Sequence, residues 1–335
     1  MFWEPKTSKL NKEKRILKKI AVLTSGGDAP GMNACLRAII KKGEASGYEV
    51  YGVVGGYQGL IDGEYLKLTH AQTENIIGLG GTLIKTSRCD QFLTEEGFLK
   101  ALENYKNQAF EALIVLGGDG SLKGAKKLFD NKINVVGIPC TIDNDLSYTD
   151  FTIGFDTAIN TTTSLLGNVR ETSSSHNRVM VVEVMGRHSG QIALCAGTAS
   201  GAELILVPEI KVSQHQINKK ISNSIKKGEK CVLVVVAEGV ASAKEVAEQI
   251  KKNLQIDAKS MDLGYVQRGG SPSTFDRILA TKMGAEAIKK ITQKKFGVAL
   301  AFKSGEIKAL ALNQIFKFKS KFDEELYLTN NEISE

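Results

Sequence analysis

No apolar run in the 335-residue chain is long enough to cross a bilayer. The longest, Cys231 to Ala237 (CVLVVVA), falls far short of the roughly 20 residues a membrane helix needs. No apolar segment follows the basic N-terminus, so no secretory leader is expected. Histidine is scarce, and His70, His176, His188 and His215 form no metal-binding cluster. The five cysteines (Cys35, Cys89, Cys140, Cys195, Cys231) show no CxxC pair or zinc spacing, and their number is odd. Disulfide frameworks and structural zinc are thereby disfavoured, and reduced thiols in a cytoplasmic protein are expected. The single tryptophan, Trp3, lies in the N-terminal tail.

A net charge of +7 at first suggests nucleic acid. Residues 1–19 carry five of those seven charges, which leaves the body near neutrality. Neither a nucleic-acid nor a membrane partner is expected.

Short β-branched runs alternate with helical patterns, which predicts βαβ units and largely parallel sheets. A strand at Ile20–Thr24 leads through a glycine-rich loop into a helix from about Met32 to Lys42. EVYGVVGG, EALIVLGGDG and INVVGIPC follow as strands, then RVMVVEVMG, AELILVPE and KCVLVVVAEG. So many strands favour two sheets over one very wide one. The expected fold is therefore α/β, with largely parallel sheets in two domains. A basic mobile extension is expected over 1–18. One domain would take 19–153 plus 267–317, and the other 154–266 plus 318–335.

In open parallel sheets, ligands bind beyond the carboxyl ends of the strands. Three loops there enter helices: Ser25–Met32, Gly117–Ser121 (GGDGS) and Thr141–Asp145 (TIDND). Glycine lets backbone approach an anion, and free helix N–H groups bind phosphate. Neither GxGxxG nor GxxxxGK[ST] is present. Taken alone, GGDGS is also readable as a tight turn, and TIDND as helix-capping aspartates. Together they place Asp119 to hold Mg²⁺ beside phosphates, and Asp143 and Asp145 to share base and metal-orienting work. Arg88, Arg178, Arg187, Arg268 and Arg277 stand in or beside glycine- or serine-rich loops, where a bidentate cation suits phosphate. Phosphoryl transfer between phosphorylated small molecules follows.

LTSGGDAPGMNA, GGDGS, TIDND, TDFTIGFDTA, VVEVMGR and QRGGSP, in this order, resemble the signatures of the bacterial ATP-dependent 6-phosphofructokinases. The resemblance runs from about Ile20 to Gly284. It implies two Rossmann-like three-layer α/β/α domains, the one over 19–153 plus 267–317 binding nucleotide and the one over 154–266 plus 318–335 binding sugar phosphate. It implies transfer of the ATP γ-phosphoryl group to O1 of fructose 6-phosphate in glycolysis, with Mg²⁺, by a homotetramer. It further implies ATP contacts at Gly27, Tyr57, Arg88, Cys89, Gly118, Asp119, Gly120 and Ser121, with Asp119 as the metal ligand. Thr141, Ile142 and Asp143 would form the reacting end, Asp143 as base and Asp145 as a second acid near the metal. Met185, Gly186, Arg187 and Glu238 would meet the sugar, Arg187 steadying the transition state. Lys259, Tyr265, Val266, Gln267 and Arg268 would line the sugar-phosphate end, with Arg178 reaching in from a neighbouring subunit. Arg37, Lys41, Arg170, Gly201, Glu203 and Lys227 resemble an effector site for ADP or phosphoenolpyruvate.

Some positions depart from the family pattern, Lys41 in place of an effector-site arginine among them, and one, Gly120, separates its branches. Lys259 and Tyr265 stand where the family usually has arginine and histidine, so one fork of hydrogen bonds is lost. Cys140 stands where ATP enzymes usually have glycine and pyrophosphate-using relatives lysine. Gly120 stands where pyrophosphate relatives place aspartate, which favours ATP; pyrophosphate remains the alternative donor. Glu229 replaces a common lysine at the effector site, so blunted regulation is expected. An NAD or lipid kinase with a GGDG loop would need neither MGR nor QRGG. A non-catalytic nucleotide sensor would be expected to lack Asp143, Arg187 or Asp119, and all three are present.

Overall fold

The computed structural model describes residues 17–319 and 322–334. Nearly all of the expected extension, Trp3 included, lies outside them. Lys18 does not belong to that extension: it opens the first strand and pairs with Glu111 at 2.8 Å.

The first part of the chain alternates strand and helix: β1 (Lys18–Ser25), α1 (Met32–Ala45), β2 (Tyr48–Val53), α2 (Tyr57–Asp62) and β3 (Tyr65–Leu68). It continues through α3 (Glu95–Asn107), β4 (Ala112–Gly117), α4 (Asp119–Asp130), β5 (Val135–Thr141) and β6 (Ile153–Gly154). The central part holds α5 (Phe155–Ser174), β7 (Arg178–Val184), α6 (Gln191–Ala199), β8 (Leu204–Leu206) and α7 (Gln214–Lys226). After these come β9 (Cys231–Ala237), α8 (Ala243–Leu254), β10 (Ala258–Asp262) and α9 (Thr274–Thr292). The chain then closes with β11 (Val298–Lys303), β12 (Glu306–Ala311), α10 (Leu312–Ile315) and α11 (Glu324–Ile333).

Two sheets result. The larger is eight-stranded in the order β12-β11-β5-β4-β1-β2-β3, with β6 also on β5, and its two margins, β3 and β12, are antiparallel to their neighbours. The smaller, β10-β7-β9-β8, is wholly parallel. β4 and β9 are buried along their whole length, as unbroken apolar runs covered on both faces must be. One core joins a face of each sheet through α1, α9, α5 and α6. A second covers the opposite face of the large sheet beneath α2, α3 and α4, and a third covers the small sheet beneath α7 and α8.

This order decides where a ligand can sit. Strand β1 continues to β2 on one side, whereas β4 continues to β5 on the other. The loops after β1 and β4 therefore part, although Ser25 and Gly117 lie in register at their strand ends. Such a switch point leaves a crevice.

The second wall comes from the small sheet, and buried Asp276 joins the two. Asp276 lies in the first turn of α9, whose helix packs along α1. Its carboxylate accepts hydrogen bonds from Gly154 N (2.9 Å), Thr157 N (2.8 Å) and Thr157 Oγ1, at the start of α5. Ser273 N in turn donates to Thr157 Oγ1 (2.9 Å). Burial pushes the Asp276 carboxyl up to about 6, against the downward pull of these bonds. The Asp276→Ala protein should lose about 2–4 kcal/mol of unfolding free energy in urea, because three buried donors lose their acceptor. A loss under about 1 kcal/mol would show that another group or water replaces it.

Candidate active site

The loops after β1, β4 and β5 open onto one cleft of about 620 Å³. Its lining includes Gly27, Tyr57, Arg88, Cys89, Gly118, Asp119, Gly120 and Ser121 from the expected nucleotide set. Thr141, Ile142, Asp143, Asp145 and Arg268 line it too. The acidic turns thus converge on one space.

Helix α4 begins at Asp119, so the N–H groups of its first turn point into the cleft beside Gly120. A side chain at Gly120 would meet nothing within 4 Å, so there is open volume above it. The Ser121 hydroxyl is otherwise occupied: it donates to Ser25 O (3.0 Å) and ties the first loop to the second. Tyr57 is likewise locked. Its hydroxyl donates to Ser121 O (2.6 Å), its ring stacks on Phe92 with centroids 4.1 Å apart, and Gly124 leaves room for it. Only an edge of this aromatic is offered to a ligand, since the residue is 4% exposed. Asp119 is paired with Lys123 at 2.6 Å.

Arg268 reaches across from the loop before α9 and lies over Gly27, where a Cβ would come within 3.1 Å of its Nη1. Its charge opposes the rise of the Asp143 carboxyl. Burial nonetheless pushes Asp143 up to about 6, with Asp145 and Glu238 adding to the rise and His188 resisting it. Asp145 is also raised, by burial first and by Asp119 second. Three carboxylates repel one another here, an arrangement that favours a cation. Asp143 N donates to Thr141 Oγ1 (3.2 Å), and Ser189 Oγ donates to Asp143 O (2.9 Å), pinning this loop to the small sheet.

The expected sugar-side residues form a neighbouring group. Met185 N donates to Gln267 Oε1 (3.0 Å), and Gly186 N to Glu238 Oε1 (3.4 Å). Gly186 has φ 131° and lies within 2.2 Å of Ser189 O at its would-be Cβ, so only glycine makes this turn. Arg187 is exposed and does not line the cleft. Arg178 and Lys259 stand apart from it, both paired with Asp257 at 3.0 and 3.3 Å. Tyr265 and Val266 are 78% and 55% exposed. Arg277 corrects one expectation: its guanidinium braces its own loop through Pro272 O and Ser271 Oγ and is not a cleft cation.

Of the effector set, Arg170, Gly201 and Glu203 meet. Arg170 bonds Glu203 Oε1 (2.6 Å) and Gly201 O (2.8 Å), beside a cavity of about 520 Å³ lined by Glu171 and Glu229. Lys227 caps α7, while Arg37 and Lys41 lie on α1 and do not line that cavity. Reading by sequence missed Asp28, Lys123, Lys127 and His188 in the cleft. The spacing of Lys123 and Lys127, four and eight residues after Asp119 and so on one helix face with it, was the available signal.

Comparison with known proteins decides the family. The phosphofructokinase family model matches residues 19–291. The chain belongs to the phosphofructokinase family. It is 45% identical over 93% of its length to the ATP-dependent 6-phosphofructokinase of Clostridioides difficile, covering 98% of that protein. The enzyme of the same name from Finegoldia magna is also 45% identical, over 95% of this chain and 100% of its own. Among solved structures, Saccharomyces cerevisiae phosphofructokinase superposes with a TM-score of 0.83 at 34% identity, over 95% of this phosphofructokinase but 47% of the yeast chain. A pyrophosphate-dependent phosphofructokinase from Marinobacter aquaeolei shares the fold, with a TM-score of 0.82 at 22% identity over 92% of this chain and 86% of its own.

The raised Asp143 pKa makes a stability prediction. Its folded pKa lies above the unfolded value, so the folded state holds the extra proton between about pH 4 and 6 and loses stability as pH rises through that window. Asp143→Asn should therefore raise unfolding free energy by about 1–2 kcal/mol at pH 8. In urea titrations the gain should vanish towards pH 4; a gain independent of pH would refute this origin.

Proposed function

We propose that this phosphofructokinase moves the γ-phosphoryl group of ATP to O1 of fructose 6-phosphate, giving fructose 1,6-bisphosphate and ADP. The observation that carries the reading is the meeting of Asp119, Asp143, Asp145 and Arg268 in one cleft at the ends of β1, β4 and β5. The open volume above Gly120 leaves room for a nucleotide phosphate chain, which supports ATP over pyrophosphate.

Asp143 is the base: with its carboxyl near 6 it is ionised at neutral pH yet basic enough to take the O1 proton. Arg268 faces it and balances its charge. Among the described residues no cluster of three or more His, Cys, Asp or Glu is suited to a metal. Asp119 and Asp145 nonetheless fit Mg²⁺, which takes one or two carboxylates and completes its shell with water and phosphate. Bound there, it would neutralise charge developing on the phosphates. Arg187 and Glu238, exposed on the small-sheet side beyond the cleft lining, would meet the sugar, Arg187 steadying the transition state, while Met185 and Gly186 are held in place by Gln267 and Glu238.

Arg178, Lys259, Tyr265 and Val266 lie outside their own cleft. That supports a homotetramer in which Arg178 serves a neighbour's sugar phosphate. We assign 19–153 plus 267–317 to the nucleotide unit and 154–266 plus 318–335 to the sugar-phosphate unit, with the enzyme working in the cytoplasm. ADP or phosphoenolpyruvate would bind near Arg170, where Glu229 and Glu171 weaken anion affinity.

In a coupled assay, fructose 6-phosphate should be turned over with ATP and not with pyrophosphate. Asp143→Ser should lower kcat about 10²- to 10⁴-fold. The acid limb of kcat/KM should fall below about pH 6, as Asp143 takes up its proton. Equal rates with pyrophosphate, or near-normal turnover by Asp143→Ser, would overturn the assignment. Fructose 6-phosphate saturation should stay close to hyperbolic, and a curve made strongly sigmoidal by phosphoenolpyruvate would contradict weakened regulation.

A further inference from the structure

Helix α4 turns a charged stripe towards the cleft: Asp119, Lys123 and Lys127, each one i,i+4 step from the last. The Lys127 ammonium is already engaged, 4.1 Å from the Phe98 ring centroid and 5.8 Å from that of Phe92. Lys123 instead closes on the carboxylate assigned above to the metal, Nζ to Oδ2 at 2.6 Å. The same helix supplies an internal comparison. Lys126 and Asp130 make an i,i+4 pair of the same length, 2.6 Å, with acid and base in the reverse order, but they do not line the cleft. Lys123 and Asp119 line it, and with Asp145 they also line an adjoining recess of about 130 Å³.

The Lys123–Asp119 pair is solvent-exposed, with side-chain exposures of 64% and 43%, so it is weak and easily exchanged. Lysine is a compact point charge on a flexible stem, and phosphate is its stronger partner. The open space above Gly120 lies beside this pair, where the first-turn N–H groups of α4 also face. We propose that Lys123 is a nucleotide-phosphate ligand held in reserve by Asp119. Asp119 gives up the ammonium for the divalent cation that accompanies the nucleotide, and the freed ammonium turns onto the phosphate chain. The inference rests on reading the cleft as a nucleotide site.

Exchange of this kind gives Lys123 opposite effects on the two ligands. It competes with a free cation for Asp119, yet it attracts the nucleotide. The test uses the full chain and two binding measurements that need no turnover: calorimetry of ATP with Mg²⁺ in the absence of fructose 6-phosphate, and Mn²⁺ binding without nucleotide by electron paramagnetic resonance. Lys123→Met should bind ATP with Mg²⁺ about tenfold more weakly, the loss of one charge-assisted contact. The same variant should bind Mn²⁺ alone about two- to fivefold more tightly. Lys123→Arg should keep most of the nucleotide affinity, and Lys126→Met should leave both values unchanged.

If Lys123→Met matches Lys126→Met in ATP binding, or if its Mn²⁺ affinity stays level or falls, the proposal is wrong. Wild-type protein that binds ATP with Mg²⁺ but fails to phosphorylate fructose 6-phosphate would sink the proposed activity alone. Wild-type protein that binds no ATP would sink both.

Discussion

Three hydrogen bonds from the start of α5 end on the buried Asp276 carboxylate at the start of α9. Helix α9 packs on the large sheet, whereas α5 lies against the small one. The two walls of the cleft therefore meet at a fixed polar joint within apolar packing. Smaller ties depend on that placement, including Ser189 with the Asp143 carbonyl and Gln267 with the Met185 amide. A buried carboxylate is costly, and here its hydrogen bonds offset part of the cost by filling donors that a helix start leaves open.

The site itself is held in tension. Asp143 and Asp145 are two residues apart, partly withdrawn from water, and Asp119 adds a third negative charge. Left alone, such a group would take up protons or draw in cations. Arg268 and Lys123 supply positive charge from two different segments. This balance lets a carboxylate remain both buried and ionisable near neutral pH, which a proton-accepting group requires.

Much of this was legible in the chain. The alternation of β-branched runs with helical patterns announced the parallel sheets, and the polar loops after β4 and β5 announced the acidic cleft. Sequence could not show which polar groups are already occupied. The Ser121 hydroxyl and Tyr57 belong to the nucleotide set by motif, yet both are consumed in holding the loops together. Arg277 and Arg268 sit in one glycine- and serine-rich segment, and only packing sends one into the cleft and the other back onto its own loop. Asp276 gave no local signal, because its partners lie about 120 residues earlier.

The antiparallel margins of the large sheet bear on how copies of the chain can meet. Edge strand β3 carries Lys67, paired with Glu49 on its neighbour, and edge strand β12 carries Glu306 and Lys308. Charges along an exposed edge disfavour the addition of a further strand from another molecule. Self-association at these two borders by sheet extension is thus suppressed, and the edges of the small sheet, helix faces and loops are left as the surfaces through which an ordered assembly can grow.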